Sequence, residues 1–220
     1  MNIPRETVQR SYRVGFALLA LVAVGYQIWV LVDETDFKPG NFFSFFTIES
    51  NLASIALLLY LARRGSAAED QGRLDLIRGA VTLYMATTGV VYGLLLSGYT
   101  AELQTAVIWV DNVVHRIMPV VMVADWLLDP PRTALTLRRA LVWLVFPLLY
   151  LVYSLVRGPL VDWYPYPFLD PDWPDGGGYP GVAVTAVVIA VGVVAFSWAV
   201  VRLGEWRRRE ALRDQVAAAP

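Results

Sequence analysis

The stretch FFSFFTIESNLASIALLLYLA (42–62) decides how the rest of this chain is interpreted. It has about the 20 helical residues that are needed to cross the hydrocarbon core of a bilayer. Its aromatic start and Leu-rich end suit a membrane helix, yet Thr47, Glu49, Ser50 and Asn51 follow within two turns. Polar residues are expensive inside a membrane and usually serve function or helix contacts. The stretch therefore predicts a membrane helix with a dedicated polar face.

The composition of the whole chain agrees with a membrane protein. Its 220 residues are 57% hydrophobic and 17% charged, far more apolar than an ordinary soluble domain. Long apolar runs recur, and they are continuous rather than alternating, which favours helices over barrel strands. The sequence predicts an all-α fold with one transmembrane domain over 1–220. Its six predicted helices lie near 13–32, 42–62, 77–97, 107–128, 139–157 and 181–203.

The arginines predict the orientation of these helices. Fifteen of the 18 basic residues lie in the segments 5–13, 63–78, 132–139 and 202–213, whereas the alternate loops carry mainly Asp and Glu. Under the positive-inside rule, both termini are cytoplasmic. We expect a multi-pass protein of the plasma (inner) membrane, and the strong preference for Arg over Lys is typical of a GC-rich bacterial genome.

This orientation places most of the buried polar residues in the outer half of the bundle. Thr47 is expected roughly 7–8 Å below the outer end of its helix, Asp111 roughly 6 Å and His115 roughly 12 Å, with Tyr92 at a similar level. Asp111 and His115 share one face of the fourth helix. The inner half is expected to be comparatively apolar, with Asp125 reaching the cytoplasmic interface.

Two short segments carry a resemblance to a known family. FFTIESNL (45–52) has a threonine early in the second helix, and DNVVHRIMP (111–119) has a histidine in the fourth. Together they resemble the androgen-induced-gene-1-like membrane proteins, which include the androgen-dependent TFPI-regulating protein and bacterial six-span relatives. Animal members hydrolyse fatty acid esters of hydroxy fatty acids with an intramembrane threonine and histidine. The resemblance implies that Thr47 is the nucleophile and that His115 is the catalytic histidine.

The chemistry of these residue types is consistent with that implication. A threonine hydroxyl needs a base during attack on an ester carbonyl, and His115 is the only histidine in the chain. Asp111, one turn earlier, is placed to orient the imidazole or stabilise its cation. The candidate oxyanion donors are Asn51, Asn112 and Arg116, and Tyr92 and Glu49 complete the candidate substrate-binding set. Glu49 and Arg116 lie at comparable depths and are placed to neutralise each other.

Cofactors and other partners are not indicated by the sequence. One histidine with scattered carboxylates and no cysteine lacks a recognisable zinc-ligand pattern, so we expect no metal and no cofactor. We also expect no nucleic-acid partner, since no nucleotide-binding signature is present. The expected partner is a membrane lipid.

The same residues allow less specific interpretations. Thr47 is of a type that often bonds the carbonyl one turn back, here Phe43, and a lone membrane histidine often links helices. Three functions therefore compete: a hydrolase for a lipid ester that enters from the outer leaflet, a small carrier, and a non-catalytic lipid-binding or scaffold protein. A carrier would use His115, Asp111, Glu49 and Arg116 as its relay, but the apolar inner half argues against a continuous path.

The longest loop, 159–181, is dense in Pro, Trp and Tyr and is predicted to be external. Its aromatic residues suit anchoring at the lipid headgroups. The alternative is a lid over an outward-facing pocket.

Overall fold

The computed structural model describes residues 4–34, 36–64, 70–99, 102–104, 107–174 and 176–217, and within them the chain forms six long helices and no strand. The all-α prediction is therefore confirmed. The helices are α1 (Arg5–Glu34), α2 (Phe46–Arg64), α3 (Gln71–Leu96), α4 (Ile108–Asn112, Val113–Ile117 and Met118–Leu128 in succession), α5 (Leu137–Val161) and α6 (Gly178–Ala217).

Four of these helices, α1, α3, α5 and α6, are long and apolar enough to cross a membrane. The other two predicted spans are also helical, but polar residues such as Glu49 and Asn51 of α2 and Asp111 and Arg116 of α4 lower their hydropathy. Large apolar side chains such as Leu149 and Val191 are exposed on α5 and α6. A continuous exposed apolar surface is unfavourable in water and suits contact with lipid.

Small residues bring the helices close together. Ala17, Ala20 and Ala23 of α1 are almost completely buried, and α1 packs along α2. The central helix is α3, which contacts α2, α4, α5 and α6. A Cβ atom added to Gly89 of α3 would lie 2.9 Å from the Cβ of Pro119 on α4. Glycine at this position is what permits α3 and α4 to approach so closely, as is common between membrane helices.

Two turns of the bundle are wider than an α-helix. Tyr92–Leu96 at the end of α3 and Val113–Ile117 in the middle of α4 are π-helical. Pro119 accounts for the second, because proline cannot donate a hydrogen bond to the carbonyl four residues earlier and its ring crowds that carbonyl. Isolated π-helical turns are frequent at functional sites. These two turns contain Tyr92 and His115.

Candidate functional site

His115 is held by a carboxylate on its own helix. Its Nδ1 lies 2.9 Å from Oδ1 of Asp111, and both side chains are buried. Since Nδ1 faces a carboxylate, this nitrogen carries the proton in the neutral ring and Nε2 is the basic nitrogen. The pair therefore has the arrangement of the acid and base in a catalytic triad.

Tyr92 and Arg116 complete the surroundings of this pair. The Tyr92 hydroxyl donates to Oδ2 of Asp111 at 2.6 Å, and its ring stacks on His115 with centroids 4.0 Å apart. Arg116 donates to the same Oδ2 at 3.2 Å and also to the side chain of Asn112. The predicted residues Tyr92 and Arg116 thus both bond Asp111, and Asn112 holds Arg116 in place beside it.

Thr47 lies in a different environment, on the wall of an apolar cavity of about 210 Å³. Apolar residues of α3, α5 and α6 and of the 159–181 loop form most of this wall. Three threonines, Thr47, Thr87 and Thr88, contribute to it, and within the described residues the hydroxyls of Thr87 and Thr88 are buried without a hydrogen-bond partner. The cavity is therefore apolar over most of its wall, with Thr47 at its edge.

Tyr166 is a residue of this site that was not predicted from the sequence. Its hydroxyl accepts a hydrogen bond of 3.3 Å from the Thr47 N–H, which is one of the unpaired donors at the start of α2. The side chain is buried and packs on Phe45. The many aromatic residues of the loop were the only feature of the sequence that pointed to this contact. Helical periodicity cannot predict where the side chain of a loop residue lies.

The 159–181 loop has features of both predicted roles. Tyr166, Phe168 and Leu169 line the cavity, which is the position expected of a lid. Tyr179, which falls in this predicted range but belongs to the first turn of α6, is exposed, which is the position expected of an interfacial anchor. The loop residues nearest to α5 thus close the site from one side.

Asn51 connects the two environments. Its Nδ2 donates to the Thr47 carbonyl at 2.9 Å and to the Val114 carbonyl at 3.1 Å, so that α2 and α4 are neighbours. Within the part of the chain that the structure describes, no hydrogen bond joins Thr47 and His115, and His115 does not line the cavity. Among the hydrogen bonds of the described residues there is also none from the Thr47 hydroxyl to the Phe43 carbonyl. Asn51 is thus the direct link between the nucleophile candidate and the histidine region.

Glu49 does not pair with Arg116, contrary to the suggestion from their depths. Arg116 is engaged by Asp111, Asn112 and Tyr92. One carboxylate oxygen of Glu49, Oε2, is buried without a partner in the described residues. Depth along a helix does not specify the direction of a side chain around the helix, which explains the difference.

The expectation of an apolar inner half was wrong at the end of the bundle that contains Asp125. Asp125, which was expected at the interface, is buried among neighbouring helices: it is 5% exposed, and Arg13 and Arg78 donate to it at 2.7 and 3.3 Å. Asp129 receives a second hydrogen bond from Arg13, at 2.6 Å. Burial alone would raise the pKa of Asp129, but Arg78 and Arg13 outweigh it and hold that pKa below its ordinary value.

Neither a metal centre nor a known relative is indicated. The described residues contain no group of three or more His, Asp or Glu side chains that would hold a metal ion. Comparison of the chain with family models, with curated proteins and with solved structures gives no match.

Proposed function

We propose that this protein is an intramembrane hydrolase that cleaves a lipid ester such as a fatty acid ester of a hydroxy fatty acid. Thr47 is the nucleophile, His115 the general base and Asp111 the residue that orients His115. The observation that carries the proposal is the buried contact of 2.9 Å between His115 Nδ1 and Asp111 Oδ1, which fixes the ring with Nε2 as its basic nitrogen. The resemblance of the two short segments around these residues supports it.

The proposal includes a location and an orientation. All six helices cross a bacterial plasma membrane, with both termini in the cytoplasm and the Thr47 cavity at the level of the outer leaflet. The arginine distribution supports this orientation. The polar residues of α2 and α4 then face the bundle interior, where neighbouring helices satisfy them.

The cavity favours a lipid substrate. At about 210 Å³ it is smaller than the roughly 300–1,000 Å³ of pockets for whole drug-sized ligands, so it suits one segment of an acyl chain. The exposed residues Leu148 of α5 and Val194 of α6 belong to its lining. A lipid therefore enters sideways between α5 and α6, directly from the bilayer.

The reaction proceeds in two steps. The Thr47 hydroxyl attacks the ester carbonyl while its proton passes to His115, and the leaving alcohol takes that proton. Water, activated by His115, then hydrolyses the acyl-threonine. Because no hydrogen bond joins Thr47 and His115, a bridging water or closure around the substrate brings them into contact, as is common when catalytic hydrogen bonds tighten only in the complex. The Tyr166 hydroxyl donates to the carbonyl oxygen as negative charge develops there.

The test is hydrolysis of a lipid ester by the purified protein in lipid nanodiscs. We expect Thr47→Ala and His115→Ala each to abolish turnover, and the double variant to be little worse, because members of one catalytic unit are not additive. Asp111→Asn should cost less than His115→Ala, since the imidazole still accepts a proton in a poorer orientation. Thr87→Ala is the matched control: it removes a buried threonine hydroxyl from the same cavity and should leave turnover nearly unchanged.

Two results would contradict the proposal. Equal losses in Thr47→Ala and Thr87→Ala would assign the effect to cavity shape rather than to a nucleophile. Full activity in the Thr47→Ala variant would show that Thr47 is not the nucleophile.

A non-catalytic lipid-binding protein is the second candidate, and the lack of a Thr47–His115 hydrogen bond favours it. In that case the intact protein would bind a fluorescent fatty acid in the cavity without hydrolysing any ester. Thr47→Ala would then change binding at most slightly, because one lost hydrogen bond in a membrane protein averages about 0.6 kcal/mol.

A further inference from the structure

A second cavity, of about 330 Å³, lies at the opposite end of the bundle from Thr47. It is formed where α1 and α3 begin and where α2 and α4 end. Its lining is rich in arginine: Arg10, Arg13, Arg63, Arg64, Arg78 and Arg132, together with the acidic residues Glu6 and Asp129. We propose that this cavity, named here the arginine pocket, binds the phosphate group of an anionic ligand, an acidic phospholipid headgroup or a soluble phosphate compound. This site does not depend on the function proposed for Thr47.

Asp125 and Asp129 are already engaged in the deep layer of the arginine pocket. Arg13 binds Asp125 at 2.7 Å and Asp129 at 2.6 Å, and Arg78 contacts Asp125 at 3.3 Å. These carboxylates and the buried Asp75, which lies 3.8 Å from Arg78, balance the deep arginines. Glu6 is then the acidic lining residue nearer the surface, where Arg10 and Arg63 outnumber it. The rim of the pocket retains positive charge.

Arg10 and Arg63 supply that charge. Both are exposed and line the pocket, and neither has an ion-pair partner among the residues that the structure describes. They come from the first turns of α1 and the last turn of α2, so the fold, rather than one basic segment, brings them together. The planar guanidinium of arginine matches the oxygens of a phosphate with two parallel hydrogen bonds.

Arg78 provides a second, independent observation. It lines the pocket and is 3% exposed, yet its Nε–H has no hydrogen-bond partner within the described residues. A buried donor of a charged group that lacks an acceptor is costly. A phosphate oxygen in the pocket would satisfy it.

The place of the pocket favours a lipid as the source of the phosphate. The arginine distribution puts this end of the bundle at the cytoplasmic leaflet, and basic pockets between membrane helices on that side recognise acidic headgroups. Tyr60 of α2, one turn before Arg64, is exposed and its ring lies under the Arg64 guanidinium, 5.4 Å from the centroid. An aromatic ring of this kind suits the level of the headgroups.

The experiment measures the melting temperature of the full-length protein in neutral detergent during titration with short-chain phosphatidylglycerol. Phosphatidylcholine, which has no net charge, and inorganic phosphate are titrated in parallel. We expect saturable stabilisation by phosphatidylglycerol and not by phosphatidylcholine. The variant Arg10→Gln/Arg63→Gln should need roughly tenfold more phosphatidylglycerol for the same effect. Both positions are exposed, so this variant should fold.

The matched control is Arg209→Gln/Arg213→Gln, which removes the same charge from exposed positions in the tail of α6. It should respond like the unmodified protein, and Thr47→Ala should do so as well, which separates this site from the proposed active site. Stabilisation by inorganic phosphate that is lost in Arg10→Gln/Arg63→Gln, without an effect of phosphatidylglycerol, would support the phosphate site and identify a soluble ligand. Equal weakening in both arginine variants, or no stabilisation by either probe, would overturn the proposal.

Discussion

The His115 ring is held by two neighbouring side chains. The Asp111 carboxylate contacts the edge of the ring, and the Tyr92 ring stacks on its face. Tyr92 also donates to Asp111, so the three side chains form a closed set in which each one limits the movement of the others. A ring that served only to link helices would be expected to bond a neighbouring helix directly. His115 instead bonds a carboxylate on its own helix, and this contact is compatible with the general base that we propose.

Tyr166 provides a prediction at the same scale. Tyr166→Phe removes the hydroxyl that meets the Thr47 N–H and that we assign to the developing oxyanion. Loss of one such donor should lower kcat by about 10²–10³-fold with little change in KM. The measurement is steady-state hydrolysis of a lipid ester in nanodiscs.

Tyr153→Phe is the control for this prediction. The Tyr153 hydroxyl is also partly buried and hydrogen-bonded, 2.7 Å from that of Ser44, but it does not line the cavity. Its removal should leave kcat within about threefold of the original value. A loss of kcat of the same size in both variants would indicate a general loosening of the site rather than oxyanion stabilisation.

At the level of elements, the contact between α3 and α4 positions the Asp111–His115 pair against Tyr92. Gly89 packs on Pro119, and a Cβ atom at Gly89 would also lie 3.5 Å from the His115 carbonyl. The π-helical turn before Pro119 displaces that carbonyl from regular α-helical bonding. Gly89 and Pro119 thus set how closely α3 and α4 approach each other at this point.

Gly89→Ala tests this contact. The added methyl group meets the Pro119 ring, and overpacking of this kind should destabilise the protein by about 1–3 kcal/mol, measured as a lower melting temperature in detergent. The control is Gly93→Ala, one turn later on the same helix, where a Cβ atom would meet nothing within 4 Å. Gly93→Ala should be neutral or slightly stabilising because alanine favours the helix. Equal destabilisation by both substitutions would contradict the role assigned to the Gly89 contact.

The elements were more predictable than their contacts. Apolar length located all six helices, and helical spacing correctly paired Asp111 with His115, because both properties are local in the sequence. The π-helical turns, the burial of Asp125 by Arg13 and the contact of Tyr166 with Thr47 were not foreseen. Each depends on which helix or loop lies opposite, and a single sequence contains no periodicity that reports such long-range contacts.

At the scale of the whole molecule, two polar clusters lie at opposite levels of one bundle. On α4 the first contains Asp111 and His115 and the second contains Asp125, and the ten residues from His115 to Asp125 correspond to about 15 Å. Met118 and Met122 occupy the same face between them and are almost completely buried. A proton relay needs polar groups or water along its path, so this face of α4 does not provide a continuous relay between the two clusters.

The orientation of the bundle gives the last prediction. If the arginine-rich end faces the cytoplasm, the Thr47 cavity opens to the outer leaflet and the arginine pocket to the inner one. The chain has no cysteine, so single cysteines can be introduced without background labelling. Ala134 in the loop between α4 and α5 and Asp172 in the loop between α5 and α6 are both exposed. In intact cells, a membrane-impermeant maleimide should label Asp172→Cys and leave Ala134→Cys unlabelled.

Permeabilised cells provide the control, since both cysteines should then react at comparable rates. Two unreactive positions after permeabilisation would indicate local shielding, and neighbouring exposed positions on the same loops would replace them. Labelling of Ala134→Cys but not of Asp172→Cys in intact cells would reverse the orientation. The arginines would then face outward against the positive-inside rule, and any ester substrate of Thr47 would have to come from the cytoplasmic leaflet. The orientation of the bundle thus determines which pool of lipid the Thr47 site is able to reach.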